Sequence, residues 1–145
     1  MNIEATAQPE SIDKEDADWK EAIMSSFHLL SRAPLPTGPS DAKAVLNWEP
    51  KHRAFHDSRI VACSWLWMIG FHSQLVDHSE RYRQARLIGT VSTVHRACDF
   101  EMVHRSIMES VPSLDKQKAC ELMSDHLQRT AIAAAQGLQT EKKIR

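Results

Sequence analysis

His52 and His56 stand four residues apart in the segment WEPKHRAFHDSRIVAC. In a helix that spacing puts both side chains on one face, about one turn apart. Two imidazoles so placed can ligate one metal ion. The H-x-x-x-H spacing is shared with the zincin H-E-x-x-H motif, but Arg53 follows His52. The glutamate that would serve as general base is absent, so metalloprotease chemistry fits poorly. His104 and His126 fall on two later segments, each among apolar residues: Ile107 and Met108 near the first, Leu122 and Met123 near the second. Singly, each reads most simply as a core histidine hydrogen-bonded to a neighbour. Two of them facing a bundle that already holds an H-x-x-x-H pair favour a metal site, because bundle cores build such sites from facing helices. Imidazole suits zinc, nickel, copper and iron alike. A carboxylate is expected to orient at least one ring, with Glu101, one turn before His104, and Glu49 as the near candidates.

The other histidines, His28, His72, His78 and His95, read as surface or edge residues. Arg81, Arg83 and Arg86 in ERYRQAR read as a solvated face. An Arg turned into a polar cavity would instead hold a carboxylate bidentately. Arg81 and Arg83 point in different directions, so only one or two of the three can serve. Tyr82, the single Tyr, can add a hydroxyl. The three Cys, at 63, 98 and 120, have neither metal nor redox spacing and read as buried thiols.

The elements that must carry these residues are helices. Trp19, Ile23, Phe27 and Leu30 form one apolar stripe, and Asp13, Glu15, Asp16 and Asp18 crowd its start, where the helix dipole favours negative charge. This predicts a helix over 12–31. The Pro-rich stretch that follows is a loop, placed at 34–43. A second helix is expected from Asn47 as N-cap, with Pro50 tolerable in its first turn. A third covers 65–86, with Leu66, Ile69, Leu75, Val76 and Tyr82 inward. A fourth covers 92–110, with Val94, Cys98, Met102 and Ile107 inward. A fifth runs from 115 to a cap at Gly137, with Ala119, Leu122, Met123, His126 and Thr130 inward. No run alternates with period two long enough to be a strand. The fold class is all-α, an antiparallel bundle.

Composition limits the function. The 145 residues fit one domain, and 42% hydrophobic content supports a core. The 18 Lys+Arg against 19 Asp+Glu supply no electrostatic footprint for nucleic acid. The odd number of Cys favours a reducing compartment over a disulfide framework. The polar, acidic N-terminal stretch has no apolar core of a signal peptide, and the apolar run near Trp65–Phe71 is too short to span a membrane. A soluble cytoplasmic protein is expected.

The ordered series WEPKHRAFHDSRIVAC, LVDHSERYR, E-x-x-H-R-x-I and D-x-x-x-A-C-x-L-x-x-x-H-L-x-x-T resembles the effector-binding FCD domain of GntR-type transcriptional regulators in the FadR branch. The stretch ESIDKEDADWKEAIMSSFHLLSR resembles the second helix of that domain in the carbon-starvation-regulator-like subgroup. The resemblance runs from about Glu10 to Ala133. It implies a helical bundle with a central cavity and a divalent transition metal, zinc or nickel first. The family's ligand positions match His52, His56, His104 and His126. The first is usually Asp in the family, and His52 in its place would leave the site more positive. The resemblance further implies a small organic acid as effector, with Arg81 or Arg83 as counter-charge, and a homodimer. It implies DNA contact only through an N-terminal winged helix-turn-helix, for which 1–145 has no counterpart. The domain's first helix also reads as missing or replaced by MNIEATAQP.

Three functions compete on these observations. One is a metal-containing sensor domain of a regulator. Another is a histidine–metal hydrolase or isomerase, against which stands the missing carboxylate base. The third is a helical interaction protein with structural histidines.

Overall fold

In the computed structural model every described element is an α-helix. The structure describes residues 3–14, 16–36, 41–88, 93–110 and 116–144; side chains at 5, 8, 10, 80–88, 93–100, 116, 119 and 133–144 fall outside the description. The order is α1 (Ile3–Asp13), α2 (Ala17–Ser31), α3 (Ala42–Ile60), α4 (Leu66–Ile88), α5 (Thr93–Ser110) and α6 (Lys116–Ile144). They form a helical bundle, with α2 laid on α3 and α5, and α6 packed against α1, α4 and α5.

The N-terminal stretch departs from expectation. The helix predicted over 12–31 is broken: residues 12–13 end α1 and α2 begins at Ala17. The stretch MNIEATAQP, read as standing where the domain's first helix is missing or replaced, contributes most of α1. The acidic cluster explains the break. Asp16 is the N-cap of α2, and Trp19 N–H donates to its Oδ1 at 2.7 Å. A capping Asp holds non-helical backbone dihedrals, so the chain cannot pass through it as one helix. Helix α3 likewise begins earlier than Asn47. Asp41 caps it, accepting from Ala44 N–H at 3.3 Å. Pro50 therefore lies inside the helix, where it removes one backbone donor. Helix α6 continues through Gly137 to Ile144.

The main core gathers Ile12, Trp19, Ile23, Phe27, Leu30, Trp48, Phe55, Ile107 and Met123. A smaller cluster joins Ile3 and Ala7 of α1 to Ile60, Cys63 and Met68. The α2 stripe is buried as its spacing predicts. On α4 the inward face differs: Met68 and His72 are buried, while Leu66 and Leu75 are exposed. Trp67, Phe71 and Leu75 form a second apolar row at four-residue spacing, and it faces outward. On α5, Met102 is exposed because His104 and Ile107 face the core. Of the other side chains expected inward, Val94, Cys98, Tyr82 and Ala119 lie outside the described residues. Among the described residues, no helix is long and apolar enough to cross a membrane.

Candidate metal centre

Helices α3, α5 and α6 bring His52, His56, His104 and His126 together, all four buried. Each offers one ring nitrogen, and these atoms all lie within 4.8 Å of one another. Ring centroids are 4.6 Å apart for His52–His56 and 4.7 Å for His104–His126. Across helices, His52–His104 is 5.2 Å and His56–His126 is 5.4 Å. Nitrogens about 2.1 Å from a shared ion stand roughly 3–4 Å apart. The cluster therefore needs only small side-chain adjustments to close on one.

The i, i+4 spacing on α3 sets the first pair. Trp48, one turn earlier, stacks on His52 with ring centroids 4.4 Å apart and planes 17° from parallel. Phe55 stands edge-on to both His56 and His104, at 5.6 and 5.5 Å. These aromatic rings pack against the imidazoles and limit their rotation.

The carboxylate that orients a ring is Glu4, on α1. Its Oε2 lies 2.7 Å from His56 Nδ1, and its Oε1 lies 3.0 Å from His72 Nε2. The other nitrogen of His56, Nε2, is buried with no hydrogen-bond partner among the described residues. An Nδ1–H bound to a carboxylate leaves Nε2 as the lone-pair nitrogen. A metal ion would satisfy that atom, and this is the observation that fits the donor set to a metal. Burial works to raise the Glu4 pKa. The opposing effect of His56 and His72 is larger and holds its carboxyl well below the ordinary 4.5. His72 continues the chain outward, its Nδ1 3.5 Å from Asp57 Oδ1.

Glu101, expected beside the metal, is instead on the exposed face of α5, accepting from Arg105 at 2.7 Å. Four residues along one helix face suit that ion pair, and α1 fills the inner position. Glu49 is buried on α3. His72, read as an edge residue, is buried against Glu4. His28 and His78 are exposed, while His95 lies outside the described side chains. Arg81, Tyr82 and Arg83 lie on α4, with side chains outside the described residues.

Three residues of the centre escaped the sequence reading: Glu4, His72 and Arg59. Arg59 is fully buried, one turn beyond His56 on α3. Burial lowers its pKa to about 10, partly countered by Glu4 and Cys120, so it stays a cation at neutral pH. In turn burial pushes the Cys120 thiol up, less so because of Arg59. The signal was an Arg among apolar residues in the HDSRIVAC turn, on the same face as Phe55 and His56.

A cleft of about 230 Å³ reaches the centre from the end of α2. Phe27, Leu30, Leu35, Trp48, Glu101 and His104 line it. The lining is largely apolar, with the His104 imidazole and the Glu101 carboxylate as its charged or titratable groups, a common construction for a small-molecule site.

Two curated proteins are similar to this chain over most of its length. One is the HTH-type transcriptional repressor GlaR of Escherichia coli (strain K12), 29% identical over 126 residues, covering 87% of this chain and 56% of that protein. The other is the uncharacterized HTH-type transcriptional regulator BphR of Paraburkholderia xenovorans (strain LB400), 28% identical over 136 residues, covering 92% of this chain and 53% of that protein. Its named relatives are transcriptional regulators, not enzymes. The chain spans about half the length of these curated relatives. No family model matches it, and no solved structure matches it.

Proposed function

We propose that the chain is the metal-holding sensor domain of a transcriptional regulator of the GntR type, in the FCD class, and that it binds a small organic acid. The observation that carries this reading is the buried set His52, His56, His104 and His126 with ligand atoms within 4.8 Å of one another. The similarity to GlaR and BphR supports the regulatory side of it. Zinc or nickel suits an all-imidazole donor set. When bound, such an ion supplies a Lewis-acidic centre that accepts oxygen donors of the effector.

The chain's own residues do the rest. Glu4 fixes the tautomer of His56, Trp48 holds the ring of His52, and the cleft beside His104 admits a small molecule. Arg81, Arg83 and Tyr82 are candidate effector contacts on α4. An effector acts by its different affinity for two arrangements of the protein. In a homodimer the output is the relative placement of winged helix-turn-helix segments on DNA. The setting is the cytoplasm.

The test is metal analysis of untagged protein purified without chelator, followed by a thermal-shift screen of organic acids. One metal per chain and a stabilising acid whose effect disappears with EDTA are expected. Metal-free wild-type protein, with histidine variants indistinguishable from it, overturns the metal reading. Turnover of the acids overturns the sensor reading.

A further inference from the structure

The least comfortable group in the molecule is the Arg59 guanidinium. It is fully buried, and Nε, Nη1 and Nη2 all lack a hydrogen-bond partner among the described residues. Its carbon lies 5.9 Å from the centroid of the Phe55 ring, which contributes a cation–π contact but no acceptor. Guanidinium stays charged in proteins and presents five N–H donors. Leaving them unmet in the interior is costly, and native structures do so where a ligand, ion or water completes the set.

The charge balance points the same way. Among the described residues, Glu4 and Glu49 are the buried carboxylates. They offset two positive charges. A divalent ion on the four neutral imidazoles together with Arg59 brings three, leaving a surplus of one among the described buried groups. An uncompensated charge in a low-dielectric interior is costly, and an anion beside it removes that cost. Arg59 follows His56 by three residues, so on α3 the two side chains are neighbours, about 5–6 Å apart at Cβ.

We infer that Arg59 is an anion-binding residue that holds a carboxylate of the effector in a fork of two N–H donors, while a second oxygen donor of the same molecule reaches the histidine centre. The ligand class is a short acid with two anionic or oxygen-donor ends, such as a dicarboxylate or a hydroxy acid. The inference rests on the sensor reading above and deepens it by assigning the ligand's second contact. Planar, bidentate pairing is what Arg does best, so Lys is a poor substitute at such a position.

The experiment titrates metal-loaded protein with the dicarboxylates from malonate to adipate, each against the monocarboxylate of the same length. The proteins are wild type, Arg59→Met and Arg59→Lys, followed by thermal shift and calorimetry. In the wild type at least one dicarboxylate is expected to bind about 10- to 100-fold more tightly than its monocarboxylate partner. In Arg59→Met that preference vanishes while the metal content is kept. In Arg59→Lys it falls at least several-fold. The ligand-free Arg59→Met protein is expected to melt at or above the wild-type temperature, because removal of an unmet buried charge is often neutral or stabilising.

A wild-type preference that survives in Arg59→Met overturns the assignment, as does the absence of any preference in wild type. A large fall in ligand-free melting temperature, with acid binding intact in Arg59→Lys and in the folded fraction of Arg59→Met, shows a structural cation and also overturns it. Failure of the sensor reading looks different: no metal in the wild type, or an acid response that ignores His56→Ala.

Discussion

Helices α2 and α3 lie against each other, and each buries a continuous face, yet the two faces differ in kind. On α2 the buried residues are Trp19, Ile23, Phe27 and Leu30, all apolar. On α3 they are Ala44, Trp48, Glu49, His52, Phe55, His56, Arg59 and Ile60, so polar and apolar residues share the interior. Contacts between them are ordinary: Phe27 and Phe55 rings are tilted at 5.8 Å, and Trp19 Nε1–H donates to Ser58 O at 2.9 Å. The difference teaches where stability and function reside. An apolar stripe contributes transfer free energy on burial. Buried imidazoles, a carboxylate and a guanidinium contribute little without partners, and each reduces stability unless its polar atoms are met.

The strongest way to break this division is to cut α2. Phe27→Ala removes a buried ring from the main core and is expected to cost about 3–5 kcal/mol in urea unfolding. Metal per folded molecule should stay at the wild-type value. A selective loss of metal in still-folded protein would mean that α2 shapes the centre as well as supporting it.

Cutting α3 should do the reverse. His56→Ala is expected to abolish stoichiometric metal, with a much smaller change in the stability of metal-free protein. EDTA should lower the wild-type melting temperature towards that of the variant. At free metal 100 to 1,000 times the dissociation constant, the lost stabilisation is about 2.7–4.1 kcal/mol. A variant that melts far below EDTA-treated wild type would show His56 to be a core residue first.

The same contrast explains what was legible in the residues alone. The α2 stripe and the His52–His56 pair are local patterns, readable from spacing within one helix. His104 and His126 were readable because each sits on the apolar face of its own helix. Glu4 was not readable: it meets His56 from 52 residues away, and no periodicity within α1 announces a contact set by how α1 docks. His72 was misjudged because α4 carries two apolar rows, Met68 on the inside and Trp67, Phe71 and Leu75 on the outside, and the pattern does not say which is buried. The boundaries at Asp16 and Asp41 show the same limit. Several capping residues were available in each stretch, and packing selected among them.

Glu4→Gln sharpens the comparison at smaller magnitude. The amide can still accept through its oxygen, but the charge that strengthens the bond to His56 is gone. Metal affinity is expected to fall about 10- to 100-fold, the usual effect of losing a carboxylate behind a ligating imidazole. Competition with a chelator of known affinity measures it. The pH dependence should change too. Because the Glu4 pKa is depressed on folding, its stabilising contribution is present above the ordinary 4.5 and is lost as pH falls through the lower folded value. Glu4→Gln should lack that part of the acid-side decline in urea midpoint. An unchanged acid limb would mean that Glu4 is not ionised against His56 and His72.

The smallest expected effect is at Glu101. Its carboxylate pairs with Arg105 one turn on, and both side chains are about half exposed. Exposed pairs at this spacing contribute about 0.3–0.5 kcal/mol. Glu101→Gln is therefore expected to shift stability by no more than that and to leave metal content unchanged. The residue nonetheless lines the cleft together with His104 and Trp48, so its charge faces whatever enters. If the cleft admits the proposed anionic effector, this carboxylate repels it, and removing the charge should speed association modestly, most visibly at low salt, where repulsion is least screened. Stopped-flow binding at two ionic strengths measures it. A faster on-rate with unchanged metal content places Glu101 at the entrance, on the solvent side of the division that α2 and α3 set up. A change in metal affinity would place it with Glu4 instead, and the polar interior would then extend from α3 onto the outer face of α5.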